Sequence, residues 1–167
     1  MTKNERIAIV PGSFDPMTVG HIAIIEKAAQ SYDKVYVAVM INDQKKYMFS
    51  LSERTQIAKA SLLGLNNVFV ISSEGWLWEL AKELGACAIV KGYRNQKDFE
   101  YEQKMAIFNK EHYPDAETVL IKSESDMDTV SSTLVRERIV AGEALDGLLP
   151  KTAISAIYLI KSKEDSK

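Results

Sequence analysis

Five short apolar runs, each separated from the next by a stretch with helical spacing, constrain this chain's fold more than any other feature. Ile7 to Val10, Lys34 to Met40, Val68 to Ile71, Ala88 to Val90 and Thr118 to Ile121 are too short for buried helices, and they read as strands. Between and after them the spacing predicts helices: from Val19 or Gly20 to about Gln30, from Ser50 to about Leu63, and from Trp76 to Leu84. Three more are expected over Lys97–Glu111, Ser132–Ala141 and Lys151–Ile160. Ser50 and Glu53 fit a capping box, and Gly64 fits the end of that helix. The charged tail from Lys161 to Lys167 should fray.

Strands alternating with helices in this way define an α/β fold, a Rossmann-like parallel five-stranded sheet with helices on both faces and C-terminal helices. With 167 residues the chain has enough length for one domain spanning 1–167 and little reason to form two. A formal net charge of −2 gives no broad positive field, so nucleic acid and anionic membrane are not expected as partners. Met1 to Arg6 is polar, Ile7 to Val10 is too brief for a signal-peptide core, and no apolar run approaches the roughly 20 residues of a membrane span. One cysteine, Cys87, excludes an internal disulfide, and its apolar surroundings predict a buried inert thiol. A cytoplasmic location is the expectation.

Ligands of such sheets bind outside the carboxyl ends of the strands, where strand order reverses. The loop after the first strand reads Pro11-Gly12-Ser13-Phe14-Asp15-Pro16-Met17-Thr18-Val19-Gly20-His21. Gly12 permits a turn with close backbone approach, and Gly20 lies at a helix start whose amides and dipole favour an anion. His21 sits in that helix's first turn, where its ring can project beside the anion, and Ser13 adds a hydroxyl. Lys45 and Lys46 follow the second strand. Lys91 and Arg94 follow the fourth, ahead of Asp98, Glu100 and Glu102 on a helix. Arg offers a planar fork of donors suited to phosphate. After the fifth strand, Ser131, Ser132 and Thr133 bring three hydroxyls to a helix start, more than one cap needs.

These segments resemble the nucleotidyltransferase superfamily. Thr18 to His21 is similar to its T/H-x-G-H signature, and Gly12 to Pro16 resembles the G-T/S-F-D-P opening of its adenylyltransferases. Lys91 to Glu102 resembles the R-G-x-R…D-F-E-Y-E signature of phosphopantetheine adenylyltransferases, and Ser131 to Arg136 resembles the superfamily's I-S-S-T/S-x-x-R motif. The resemblance implies that His21 stabilises the transition state at the α-phosphate, with Lys45 on the reacting phosphates and Arg94 on the leaving pyrophosphate. It implies ATP binding by Ser13, Phe14, His21, Gly92, Tyr93, Arg94, Glu102 and the run Met127, Asp128, Thr129, Val130, Ser131, Ser132, Thr133. It places 4′-phosphopantetheine against Ser13, Lys45, Leu77 and Lys91.

Three positions depart from the family's habit. Val19 replaces an Asn that braces the loop, Lys91 replaces an Arg and so loses the bidentate fork, and Met127 stands where an aromatic is common. Arg136 is assigned no role.

The implied reaction is in-line attack by a phosphate monoester on the α-phosphorus of ATP, giving dephospho-coenzyme A and pyrophosphate. The nucleophile has a second pKa of about 6, so no general base is needed. No protein metal site is expected, and Mg²⁺ should ride on the ATP phosphates and water. The resemblance also implies a homohexamer and feedback by coenzyme A. The competing readings are a cytidylyltransferase acting on an alcohol phosphate and a non-catalytic nucleotide sensor.

Overall fold

A computed structural model describes residues 3–127 and 129–167. The chain runs β1 (Ile7–Gly12), α1 (Val19–Ser31), β2 (Lys34–Met40), α2 (Leu51–Ser61), β3 (Val68–Ser73) and α3 (Leu77–Leu84). It continues through β4 (Ala88–Tyr93), α4 (Gln96–His112), β5 (Glu117–Lys122), a short 3-10 turn (Ser125–Met127), α5 (Ser132–Ala141) and α6 (Lys151–Asp165). All the strand pairs are parallel, in the order β3-β2-β1-β4-β5. The order reverses between β1 and β4, which is where a ligand crevice belongs.

The ladder itself opens that crevice. β1 pairs with β2 over its whole length, from Ile7 with Lys34 to Gly12 with Val39. With β4 it pairs only at Ala8–Ala88 and Ile9–Ile89, although both strands continue beyond. Past Ile9, β1 is thus an edge on one side. This explains why Pro11 extends the strand instead of breaking it, since proline is tolerated at edges.

Period-two alternation sorts the strand side chains between two layers. Ala8, Val10, Val35, Val37, Val39, Ala88 and Val90 pack with Ile25 and Ala28 of α1 and Ala58 of α2. Ile9, Ala38 and Ile89 pack with Ala81 of α3 on the opposite face. A further core gathers Phe49, Ile57, Val135, Leu145 and Ile157, joining α2, α5 and α6.

The local signals worked unevenly. Ser50 Oγ accepts the Glu53 amide at 3.1 Å and the Glu53 carboxylate accepts the Ser50 amide at 2.9 Å, a complete capping box. α2 stops at Ser61, short of Leu63, and Trp76 caps α3 from outside. β4 continues through Lys91, Gly92 and Tyr93, which pair with Leu120, Ile121 and Lys122, so these residues are strand rather than loop. Polar residues at a strand's end carry no apolar signal. The tail is corrected too: α6 runs to Asp165, helped by Lys161, which pairs with Glu164 at 3.1 Å and lies 5.1 Å over the Phe49 ring. Cys87 is only partly buried, with its thiol 3.3 Å from the Ile7 carbonyl.

Candidate active site

The crevice at the switch point is a cleft of about 920 Å³. Its walls come from the loop after β1, the start of α1, the segment after β2, the end of β4, and the starts of α4 and α5. The structure brings Ser13, Phe14, His21, Lys45, Leu77, Lys91, Gly92, Arg94 and Glu102 to it, together with Met127, Val130, Ser131, Ser132 and Thr133. Lys46 also lines the cleft, beside Lys45. Two expected residues do not line it. Tyr93 packs its ring 4.9 Å from Phe99, and Thr129 lies in a turn. Asp128 lies outside the described residues.

The geometry of His21 follows from its place in the third position of α1. Thr18 caps the helix, and its backbone N–H donates to His21 Nδ1 at 3.0 Å, with Thr18 Oγ1 3.2 Å from the same nitrogen. His21 thus fills the role that Glu or Gln fills in a capping box. A nitrogen that accepts an N–H bears no proton of its own. The neutral ring therefore carries its proton on Nε2. Burial, seconded by the Arg94 guanidinium, pushes the imidazole pKa down to about 4, so the ring is neutral at pH 7.

Beneath it, Phe14 sits edge-on to His21 with ring centroids 5.1 Å apart. Phe14 adopts φ +48°, in the left-handed region that a bulky residue rarely enters. A Cβ on Gly12 would stand 2.8 Å from the Phe14 ring. Gly12 therefore makes room for this ring and does not form a free turn. Gly92 likewise makes room for a side chain, because a Cβ there would meet Ile24 of α1 at 3.0 Å.

Asp15 is 4 % exposed, and its two carboxylate oxygens accept the amides of Met48 and Phe49 at 2.9 and 3.0 Å. Arg136, unassigned from sequence, donates to the Asp15 carbonyl at 2.7 Å and to Thr133 Oγ1 at 3.1 Å. Ser132 donates to the Pro16 carbonyl at 2.7 Å, and the Val19 amide donates to the Leu148 carbonyl at 3.0 Å. These bonds brace the loop that lacks the family's Asn.

The three hydroxyls also have partners inside the protein. Ser131 caps α5 by accepting the Leu134 amide, Ser132 donates to Pro16, and Thr133 accepts from Arg136. Ser131 and Thr133 are acceptors in these bonds, so their own O–H groups stay free to donate in the cleft that they line.

Across the cleft, Lys91 Nζ stands 3.0 Å from Glu102 Oε2, in a contact off the hydrogen-bond axis. Arg94 is 48 % exposed and, among the described residues, pairs with Asp98 alone, at 3.5 Å from Nε. Leu77 opens α3 and packs against the core beneath that wall. Outside the cleft, exposed Trp76 leans on Phe108, and His112 lies between the rings of Trp78 and Phe108.

Sequence reasoning missed Arg54. It shares the buried face of α2 with Ile57, Ala58 and Ser61, at helical spacing. A cation on an apolar stripe was the available signal.

A switch-point cleft lined by a neutral histidine and several cations is the architecture of a nucleotidyltransferase, and residues 9–138 match the cytidylyltransferase-like family. The fold is shared with a Vibrio parahaemolyticus protein assigned as a nicotinate-nucleotide adenylyltransferase, at TM-score 0.71 and 19% identity, covering 92% of both chains. Phosphopantetheine adenylyltransferase of Lactobacillus acidophilus is 44% identical over 152 residues, 90% of this chain and 94% of the relative. That of Clostridium beijerinckii is 43% identical, over 91% and 96%. The chain belongs to the phosphopantetheine adenylyltransferase family.

Proposed function

We propose that this chain transfers the adenylyl group of ATP to 4′-phosphopantetheine, forming dephospho-coenzyme A and pyrophosphate. The observation that carries the chemistry is one cleft combining a neutral histidine donor with Lys45, Lys91 and Arg94. The substrates follow from the family.

The acceptor's terminal phosphate, with a second pKa of about 6, is already a nucleophile at neutral pH. The difficulty is the approach of two polyanions, so catalysis rests on positioning and charge stabilisation. His21, locked as the Nε2–H tautomer, donates to an α-phosphate oxygen as charge accumulates there. It is no general base in this scheme. Lys45 neutralises the same centre, Arg94 draws the pyrophosphate away, and Ser13 meets the incoming phosphate. That phosphate competes with Glu102 for the ammonium of Lys91.

Mg²⁺ on the ATP phosphates supplies further charge neutralisation when bound. The described residues offer no group of three His, Cys, Asp or Glu side chains to cage a metal, which suits an ion carried by the nucleotide. No helix among them is long and apolar enough to cross a membrane. The family resemblance supports a homohexamer, coenzyme A feedback and a cytoplasmic location as further parts of this reading.

The test is pyrophosphate release with 4′-phosphopantetheine and either ATP or CTP. Release with ATP is expected. A preference for CTP would make the chain a cytidylyltransferase, and binding of ATP without turnover would make it a sensor.

A further inference from the structure

Arg54 and Tyr47 form a buried device beside the cleft that the reaction scheme does not use. The Arg54 side chain is 1 % exposed and meets no carboxylate within ion-pair distance among the described residues. Its charge is satisfied by three carbonyls: Nε donates to Phe49 at 3.2 Å, and Nη1 donates to Ser13 at 2.8 Å and Met40 at 2.9 Å. Those carbonyls belong to the β1 loop, the end of β2 and the start of the α2 cap. The guanidinium carbon also lies 3.9 Å from the centroid of the Tyr47 ring, close enough for a strong cation–π contact.

Tyr47 carries this anchorage to the cleft. Its hydroxyl accepts the Asn42 amide at 2.7 Å and reaches the Asn42 carbonyl at 3.3 Å. Asn42 in turn organises the next three residues: its carbonyl accepts the Lys45 amide at 2.9 Å, and its side chain accepts the Gln44 amide at 3.0 Å. The Tyr47 hydroxyl also stands 3.5 Å from Ser13 Oγ. Residues 42–46 are exposed to solvent, so nothing but these bonds defines where Lys45 leaves the backbone. A lone surface lysine loop has no packing reason to adopt one conformation.

We propose that Tyr47, clamped by the buried Arg54, is a positioning residue that sets Lys45 for phosphate chemistry. The proposal rests on Lys45 acting at the reacting phosphates. Tyr47→Phe is the probing variant, because it keeps the ring on Arg54 and deletes only the hydroxyl.

Three measurements are made together: steady-state kinetics, thermal unfolding, and hydrogen exchange of the Lys45 amide, whose own acceptor the variant leaves in place. Tyr47→Phe should lower kcat by roughly tenfold to hundredfold, through misplacement alone. Its unfolding midpoint should stay near that of the parent, and Lys45 should exchange faster. In a Lys45→Ala background the same substitution should cost under about twofold, because both changes act through one group. Unchanged kcat and unchanged exchange would overturn the proposal, as would a loss that persists in full without Lys45. Faster exchange in Tyr47→Phe combined with normal turnover of Lys45→Ala keeps the clamp and removes instead the role given to Lys45.

Discussion

The two phosphate-facing segments that flank the switch point are built in opposite ways. The loop after β1 is held from every side: Asp15 grips two amides, Arg136 and Ser132 hold its carbonyls, Arg54 holds Ser13, and Leu148 takes the Val19 amide. The charged side chains at the end of β4 rest on two ion contacts, Lys91 with Glu102 and Arg94 with Asp98, the latter about half in water. One side can store the strain of Phe14 because its surroundings over-determine it. The other can exchange Asp98 for a ligand phosphate at little cost, because a half-exposed ion pair contributes little stability. A rigidly held histidine thus faces a pliable arginine.

The hardest test of the rigid side is His21→Ala. Turnover should fall by about 10² to 10⁴, with ATP affinity nearly intact, as measured by steady-state kinetics and calorimetry. Near-normal turnover would remove the histidine from the chemistry.

Asp15→Ala should come next. It leaves two buried amides unpaired and should cost about 3 kcal/mol in urea unfolding. A loss near zero would mean that the carboxylate does not brace the loop.

Acid should reveal the same rigidity. The His21 pKa is about 4 in the fold, below its ordinary value of 6.5, so the unfolded chain takes up the proton first. The contribution is complete above pH 6.5 and is lost as pH falls toward 4, on the order of 2 kcal/mol for a partly exposed ring. His21→Gln should flatten that slope in unfolding curves recorded across the interval.

The pliable side should show the smallest effect. Lys91→Ala should raise KM for 4′-phosphopantetheine by roughly tenfold, the loss of about one charged hydrogen bond. A KM effect confined to ATP would reverse its assignment.

The periodicity of the chain was enough to specify the layer order of the fold, because strand and helix spacings differ and each βα unit must return to the same sheet. Residue type, position after the strands and the family resemblance together identified His21, Lys45, Lys91 and Arg94 as the groups to watch, since few side chains suit polyanions. What spacing could not show was which polar groups the protein spends on itself. Ser132 looks like a ligand donor in one dimension, yet its hydroxyl donates to the Pro16 carbonyl, 116 residues away.

Gly12 and Gly92 illustrate the same limit. Their use is to clear Phe14 and Ile24, and only packing reveals a side chain that would collide. The burial of Arg54 and the unzipping of β1 from β4 past Ile9 belong to the same class. The chain by itself decided its elements and its stock of charge, since propensity and periodicity are local. Tertiary structure alone decided which of those groups remained available for a ligand, because a hydrogen bond or a contact is spent only when distant segments meet.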